Sequence, residues 1–193
     1  MAGLDVLDIG CGDGALALGL VHAGARVIGI DPDPKMLRAA QARADAARVP
    51  LSLVDGRIEA LPFPADRFDV VTAVIVLCFV RDEALAWREM ARVLRPGGRL
   101  VIGELGRWSL WAARRRIRGW FGAPLWRAAR FRSADQLRLA ASAAGLIVEE
   151  VRGAVFHPPS AVLARVIAPF DARLGRHTTI GAAFIAMRAR KPD

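Results

Sequence analysis

Cysteine is nearly absent from this 193-residue chain. Only Cys11 and Cys78 occur, which excludes a disulfide-stapled secreted scaffold and suits a reducing compartment. Histidine is almost as scarce, with 3 residues, and neither these nor the distant cysteines show ligand spacing, so no metal site is expected. No apolar run reaches the roughly 18 to 20 residues that a membrane span needs. The opening MAGLDVLDIG carries no basic n-region and no small-residue cleavage site, so no secretory signal is read. The expectation is one cytoplasmic domain over residues 1–193.

What is present is a globular composition, 54 % hydrophobic and 24 % charged. The net charge is +9, carried almost wholly by arginine, with Lys35 and Lys191 the exceptions. The charge is uneven. Residues 1–104 hold 12 cations against 14 acids, and residues 105–193 hold 16 against 5. Such asymmetry suits an anionic partner, although an arginine- and alanine-rich coding bias would give the same count.

Strands alternate with helical stretches along the chain. Leu4–Ile9, Arg26–Ile30, Leu51–Val54, Phe68–Val76, Arg99–Gly103, Leu146–Phe156 and Ile180–Arg190 read as seven strands. Gly14–His22, Pro34–Arg48, Asp82–Leu94 and Ser133–Ala144 read as helices, with Arg95-Pro96-Gly97-Gly98 a stop and Ser133 with Gln136 a capping box. Ala161–Phe170 reads as an apolar helix whose Val162, Leu163, Val166, Ile167 and Phe170 would wall a pocket. The rhythm predicts an α/β fold, a doubly wound and mostly parallel seven-stranded sheet, with the last strand antiparallel beside the sixth. Ligands of such sheets bind beyond the carboxyl ends of the strands.

The glycine loop after the first strand, Asp8-Ile9-Gly10-Cys11-Gly12-Asp13-Gly14, is the strongest motif. Gly10 and Gly12 admit a ligand close to backbone, and the following helix adds partial positive charge. Asp31 closes the second strand, where its carboxylate could accept two ribose hydroxyls. With Ala15 the loop also satisfies G-x-G-x-x-A, so these residues alone do not separate a dinucleotide from another adenosine ligand.

The ordered runs LDVLDIGCGDGALAL, VIGIDPDPKML, VDGRIEALPFPADRFDVV and LRPGGRLVIGE resemble the class I S-adenosylmethionine-dependent methyltransferases, in particular the small-molecule, type 11-like group. The likeness covers roughly residues 4–104 and extends more loosely to the end. It implies a Rossmann-like sheet and S-adenosylmethionine as methyl donor. It also implies that Asp8 with Gly10, Cys11, Gly12 and Gly14 holds the methionine end of the donor. Asp31 and Pro32 would sit at the ribose, Asp55 at the adenine amino group, and Gly56 and Arg57 beside the ring. Val74 and Ile75 would line the pocket. Methyl transfer from a sulfonium needs chiefly positioning, worth roughly 7 to 11 kcal/mol, so the absence of a catalytic triad is no obstacle.

The chain departs from that family's pattern in three places. Relatives carry a helical segment before the first strand, and here that strand begins at about residue 4, so a lid is absent or lies upstream of the start. Many place a histidine pair after the fourth strand, where this chain has Leu77-Cys78-Phe79-Val80. No Asn-Pro-Pro-Tyr type sequence follows that strand, which gives no support to methylation of amino groups on DNA bases or glutamine. Cys78 reads as a small apolar filler rather than a nucleophile.

Acceptor recognition is expected from the second half. Leu105–Arg132 holds eight arginines, four tryptophans and no acid. That suits a lid over the substrate, contact with an anionic membrane, or an insertion that packs its tryptophans and solvates its arginines; nucleic acid is disfavoured. Arg107, Trp108 and Trp111 are candidates for substrate binding. Glu104, His157 and His177, each beside a strand end on the ligand-bearing rim, are candidates for substrate contact or proton removal. The division is therefore a donor half over residues 4–104, an insertion or lid over 105–132, and a substrate side over 133–193. A small, apolar or aromatic acceptor methylated on oxygen or carbon is the expected function. The competing classes are a donor-binding protein without turnover, acting on membrane or nucleic acid through the Trp/Arg segment, and an NAD-binding oxidoreductase.

Overall fold

The computed structural model describes Met1 to Asp193, except for the side chains of Pro124, Leu125, Ala161 and Val162. Val162, expected to help wall a pocket, is thus outside the described side chains. Seven strands form one sheet: β1 (Asp5–Ile9), β2 (Arg26–Asp31), β3 (Ser52–Asp55), β4 (Phe68–Val74), β5 (Leu94–Leu105), β6 (Ile147–Ala154) and β7 (Phe184–Arg190). Their spatial order is β3-β2-β1-β4-β5-β7-β6, parallel through β5, with β7 inserted antiparallel between β5 and β6. This is the Rossmann-like architecture that the alternation of strand and helix predicts.

Eight helices complete the fold: α1 (Ala15–His22), α2 (Pro34–Ala47), α3 (Glu83–Val93), α4 (Leu110–Trp120), α5 (Pro124–Ala128), α6 (Ala134–Ala143), α7 (Ala161–Ile167) and α8 (Asp171–His177). Their starts follow local chemistry. Asp33 caps α2 through the amide of Lys35 ahead of Pro34, Asp82 caps α3 through Leu85, and Ser133 with Gln136 forms a full capping box on α6. On one face of the sheet Trp87 and Met90 of α3 and Leu137 of α6 pack over Leu7, Leu100, Ile102 and Met187. Truncating Trp87 to alanine would cost about 3–5 kcal/mol by cavity formation. The other face is thinner, with Val6, Ala17, Val27 and Val70 at its centre.

Most strand boundaries differ from expectation by one or two residues, and the shifts at the end of β4, the end of β6 and the start of β5 have tertiary reasons. β4 stops at Val74 because Ile75 takes φ +57, and β6 stops at Ala154 because Val155 takes φ +61. Asp171 enforces the second turn, accepting the amides of Val155 at 2.8 Å and Phe156 at 3.1 Å. β5 begins at Leu94, since the Arg95–Gly98 run that stops α3 also leads into the strand, Gly97 donating to the carbonyl of Lys191. β7 begins at Phe184 rather than Ile180. The apolar helix also ends early: α7 gives way to a 3-10 turn at Ala168–Phe170 around Pro169, and α8 follows, which hydrophobic periodicity does not announce.

Candidate functional site

The carboxyl ends of β1, β2 and β4 bound a groove of about 200 Å³ whose walls include Gly10, Asp31, Pro32, Gly56, Arg57 and Ile75. The first two glycines of the loop and its last serve different ends. Gly10 has φ +64, and a Cβ there would stand 2.5 Å from Cγ2 of Val76, so only glycine lets the loops after β1 and β4 touch. The amide of Gly12 donates to Asp31 at 3.0 Å. Gly14 caps α1 with φ +78, and Ala40 of α2 would lie 3.0 Å from its Cβ, so it serves helix packing.

Asp31 is 8 % exposed, with Oδ2 taking the Gly12 amide and Oδ1 the Asp33 amide at 2.9 Å. A carboxylate offers about four acceptor positions, so these two bonds leave capacity toward the groove. Asp8 does not line the groove; it is buried on β1 one residue before Ile9, which does. The Thr72 hydroxyl donates to its Oδ1 at 2.6 Å, whereas Oδ2 is buried without a donor among the described residues. Burial pushes its pKa up to about 6, against the pull of the Thr72 hydroxyl. An orphaned carboxylate oxygen beside a groove fits a ligand that brings a cationic or N–H donor.

The remaining residues of the motifs frame the groove without entering its walls. Cys11 is buried and its Sγ faces Gly29 of β2; burial pushes its thiol up to about 12, so it packs rather than reacts. Asp55 is exposed at the end of β3, in register with Asp31, and Val74 directly precedes Ile75. Ile58, Glu59, Phe79 and Val80 also line the groove. Phe79 and Val80 belong to the apolar run noted after the fourth strand, whereas Ile58 and Glu59, in the loop after β3, carry no motif that would have marked them.

The wall after β4 is held under tension. A β-branched residue at positive φ costs of order 1–3 kcal/mol and persists only where its surroundings over-determine it. At Ile75 they do: its amide donates to Gly103 at 2.6 Å, and the next two amides, Val76 and Leu77, donate to Oε1 of Glu104 at 3.1 and 2.8 Å. Glu104 is 0 % exposed. The expected rim contact with substrate is thereby corrected, because the side chain points inward from β5 and acts as a positioning residue. Burial pushes its pKa up to about 7, opposed first by the Leu77 amide. Arg132 braces the same turn, pairing with Glu83 at 2.9 Å and donating to the Leu77 carbonyl at 3.2 Å.

The other acceptor-side candidates lie elsewhere. His157 has Nδ1 2.9 Å from the Pro158 carbonyl, and its ring meets Trp111 edge-on at 6.2 Å. Trp111 donates through Nε1 to the His157 carbonyl at 2.9 Å, so the pair ties α4 to the chain after β6. His177, Arg107 and Trp108 line a separate cleft. None of the five lines the groove.

A family model described as a methyltransferase domain matches residues 7–102, from β1 to most of β5. A ubiquinone biosynthesis O-methyltransferase of Methylobacterium sp. (strain 4-46) is 35 % identical over 167 residues, which is 83 % of this chain and 66 % of that protein. Its counterpart from Azorhizobium caulinodans is 34 % identical over 164 residues, 82 % of this chain and 64 % of the other. The crystal structure of an S-adenosylmethionine-dependent methyltransferase from Thermotoga maritima superposes with a TM-score of 0.76 at 25 % identity, covering 99 % of this chain and 84 % of that one. The chain belongs to the class I S-adenosylmethionine-dependent methyltransferase family. It spans just under two thirds of the length of these curated relatives. Fold likeness alone would not decide the chemistry, since the crystal structure of the [4+2]-cyclase SpnF also superposes, with a TM-score of 0.70 at 23 % identity. No helix of the described residues is long and apolar enough to cross a membrane, and no three of their His, Cys, Asp and Glu side chains gather as a metal site.

Proposed function

We propose that the chain binds S-adenosylmethionine in the groove over β1, β2 and β4 and moves its methyl group to an oxygen of a small, apolar or aromatic acceptor. The observation that carries this reading is one groove walled by a Gly10 that excludes a Cβ and by the Asp31 carboxylate, joined to the buried, orphaned Oδ2 of Asp8 on the strand that leads into it. Asp31 would take the ribose hydroxyls, Asp8 and the glycine loop the cationic methionine end, and Asp55 the adenine amino group. Gly56 and Arg57 would flank the ring while Ile75 shapes the wall. When bound, the donor supplies a methyl carbon on a positively charged sulfur. The chain's own work is orientation and exclusion of water, and the clamped Ile75–Leu77 turn fixes the wall against which both reactants are held. Oxygen is favoured as the nucleophile because the curated relatives named above are O-methyltransferases.

The α4–α5 hairpin supports peripheral contact with an anionic membrane from the cytoplasmic side. Trp120 and Phe121 at its tip are 79 % and 87 % exposed. Not every arginine there is free: Arg115 lies 5.6 Å from the Trp111 ring and 4.9 Å from that of Trp126, and Arg116 lies 5.1 Å from Phe131. Aromatic tips ringed by cations suit an interfacial site.

Calorimetric titration with S-adenosylmethionine, its demethylated product and NAD tests the donor assignment. Micromolar binding of the first two, lost in Asp31→Ala, is expected; binding of NAD alone overturns it. For the hairpin, Trp120→Ser with Phe121→Ser should lower binding to phosphatidylglycerol vesicles at least tenfold. Unchanged binding reduces that segment to a solvated face.

A further inference from the structure

We infer that the cleft between α6 and α8 is a second binding site, separate from the donor groove, for a small organic anion: a carboxylate or phosphate ester carrying an aromatic or alkyl group. The cleft measures about 590 Å³, inside the roughly 300 to 1,000 Å³ of ordinary ligand sites. Its floor is apolar, made by Val151 of β6 and Ile185 of β7. Its walls are cationic, with Arg138 on α6, Arg176 at the end of α8, and Arg107 after β5.

Three guanidinium groups face one carboxylate among the lining residues. That acid, Asp135, is engaged by Arg138 at 3.3 Å, and its side chain is 86 % exposed. Among the ion pairs of the described residues, neither Arg107 nor Arg176 takes part. Planar guanidinium groups lining a cleft suit the forked oxygens of a carboxylate or phosphate better than single ammonium groups would. The Trp108 ring, 5.2 Å from the Arg107 guanidinium, adds a flat apolar wall beside the charge. A ligand with one anionic end and one apolar end fits both surfaces at once.

The backbone around the cleft is already fixed. Gly181 donates to the Trp108 carbonyl at 2.8 Å, Arg107 donates to Arg132 at 2.8 Å, and Gly106 donates to Ala183 at 3.0 Å. Gly175 of α8 packs so closely on Gly153 of β6 that a Cβ would overlap its carbonyl. Binding would therefore order side chains rather than refold a loop, which spares the further cost of ordering backbone. The cleft shares no lining residue with the donor groove. It opens on the same rim, because antiparallel β7 begins where β5 ends: Leu105 pairs with Phe184.

The inference does not depend on methyl transfer, and binding is its readout. Calorimetry with phenyl phosphate, inorganic phosphate and benzylamine on the whole chain tests it, with and without saturating S-adenosylhomocysteine. Expected are saturable binding of phenyl phosphate, at least tenfold weaker binding of inorganic phosphate, none of benzylamine, and no displacement by S-adenosylhomocysteine. Arg138→Gln and Arg176→Gln, both at exposed positions and checked for an unchanged circular dichroism spectrum, should each weaken phenyl phosphate at least fivefold. Absence of saturable binding, equal affinity for benzylamine, unchanged affinity in both variants, or competition with S-adenosylhomocysteine would each overturn it.

Discussion

Asp5 and Asp8 sit on the same short strand, at its two ends, and their surroundings have opposite characters. Asp5 accepts from Arg26 at 2.8 Å, Arg67 at 2.9 Å and Arg95 at 3.1 Å, and these bonds, that of Arg26 foremost, hold its carboxyl well below the ordinary range. Asp69 joins the network through Arg95 at 2.6 Å. Asp8, by contrast, has one side-chain donor and an oxygen with none. The difference extends to the whole rim at each end. Of the described residues, the buried side-chain polar atoms without partners are Asp8 Oδ2, Glu104 Oε2 and Arg132 Nε, all near the carboxyl ends of the strands. The amino-end rim is closed by charge pairing. The carboxyl-end rim keeps polar groups unspent, which is a stability cost that a ligand site explains.

That contrast breaks if acids at the two rims respond alike. The largest effect is expected at Asp31. Its removal takes away a charged acceptor and frees the Gly12 and Asp33 amides, at about 2–3 kcal/mol, or roughly 30- to 150-fold in donor affinity. Asp5→Asn should leave donor affinity within twofold. Isothermal titration of both variants with S-adenosylhomocysteine decides the matter, and comparable losses would show that the rims are not functionally distinct.

Much of the carboxyl rim was legible in the sequence, because strand-ending acids and glycines sit where a parallel sheet opens. Asp31 and Gly10 are cases where local type and position suffice. Glu104 is not. β5 is buried on both faces over Ile102–Leu105, so no alternation tells which way Glu104 points. Ile75 and Val155 mislead for a related reason: β-branched residues favour continued strand, and the clamps that reverse them, Gly103 with Glu104 and Asp171, come from distant segments. Arg107, Trp108 and His177 gather in one cleft only because β7 inserts between β5 and β6, a topological fact that spacing suggests but does not locate residue by residue.

Glu104 sharpens the comparison through pH. Its carboxyl is raised from 4.5 to about 7, so the folded state favours the protonated form. The stability this gives is complete below the unfolded pKa and is lost as pH rises through the folded one. Glu104→Gln cannot ionise. Relative to the variant, the wild-type protein should therefore lose stability between about pH 4.5 and pH 7, by up to roughly 3 kcal/mol. Urea melts across that range read the difference. As a positioning residue it should also change the KM for the donor more than kcat, since the Val76 and Leu77 amides would meet a weaker acceptor. A pH-independent gap between the two proteins would remove Glu104 from the set of strained groups.

Asp5 should show the reverse slope, with a smaller amplitude. Its folded pKa is depressed, so its contribution is present above the ordinary carboxylate pKa and disappears as pH falls. Asp5→Asn should cost about 1 kcal/mol at about pH 7, the scale of a surface network whose arginines remain partly in water. Two observations keep the figure small: the Arg26 and Arg67 side chains are 67 % and 40 % exposed, and salt will screen them. The gap should therefore close as pH falls from about 5 toward 2, and it should shrink in about 1 M salt even at neutral pH. The Glu104→Gln difference, fixed inside the core, should survive that salt. If both gaps respond to salt equally, burial is not what separates the two rims.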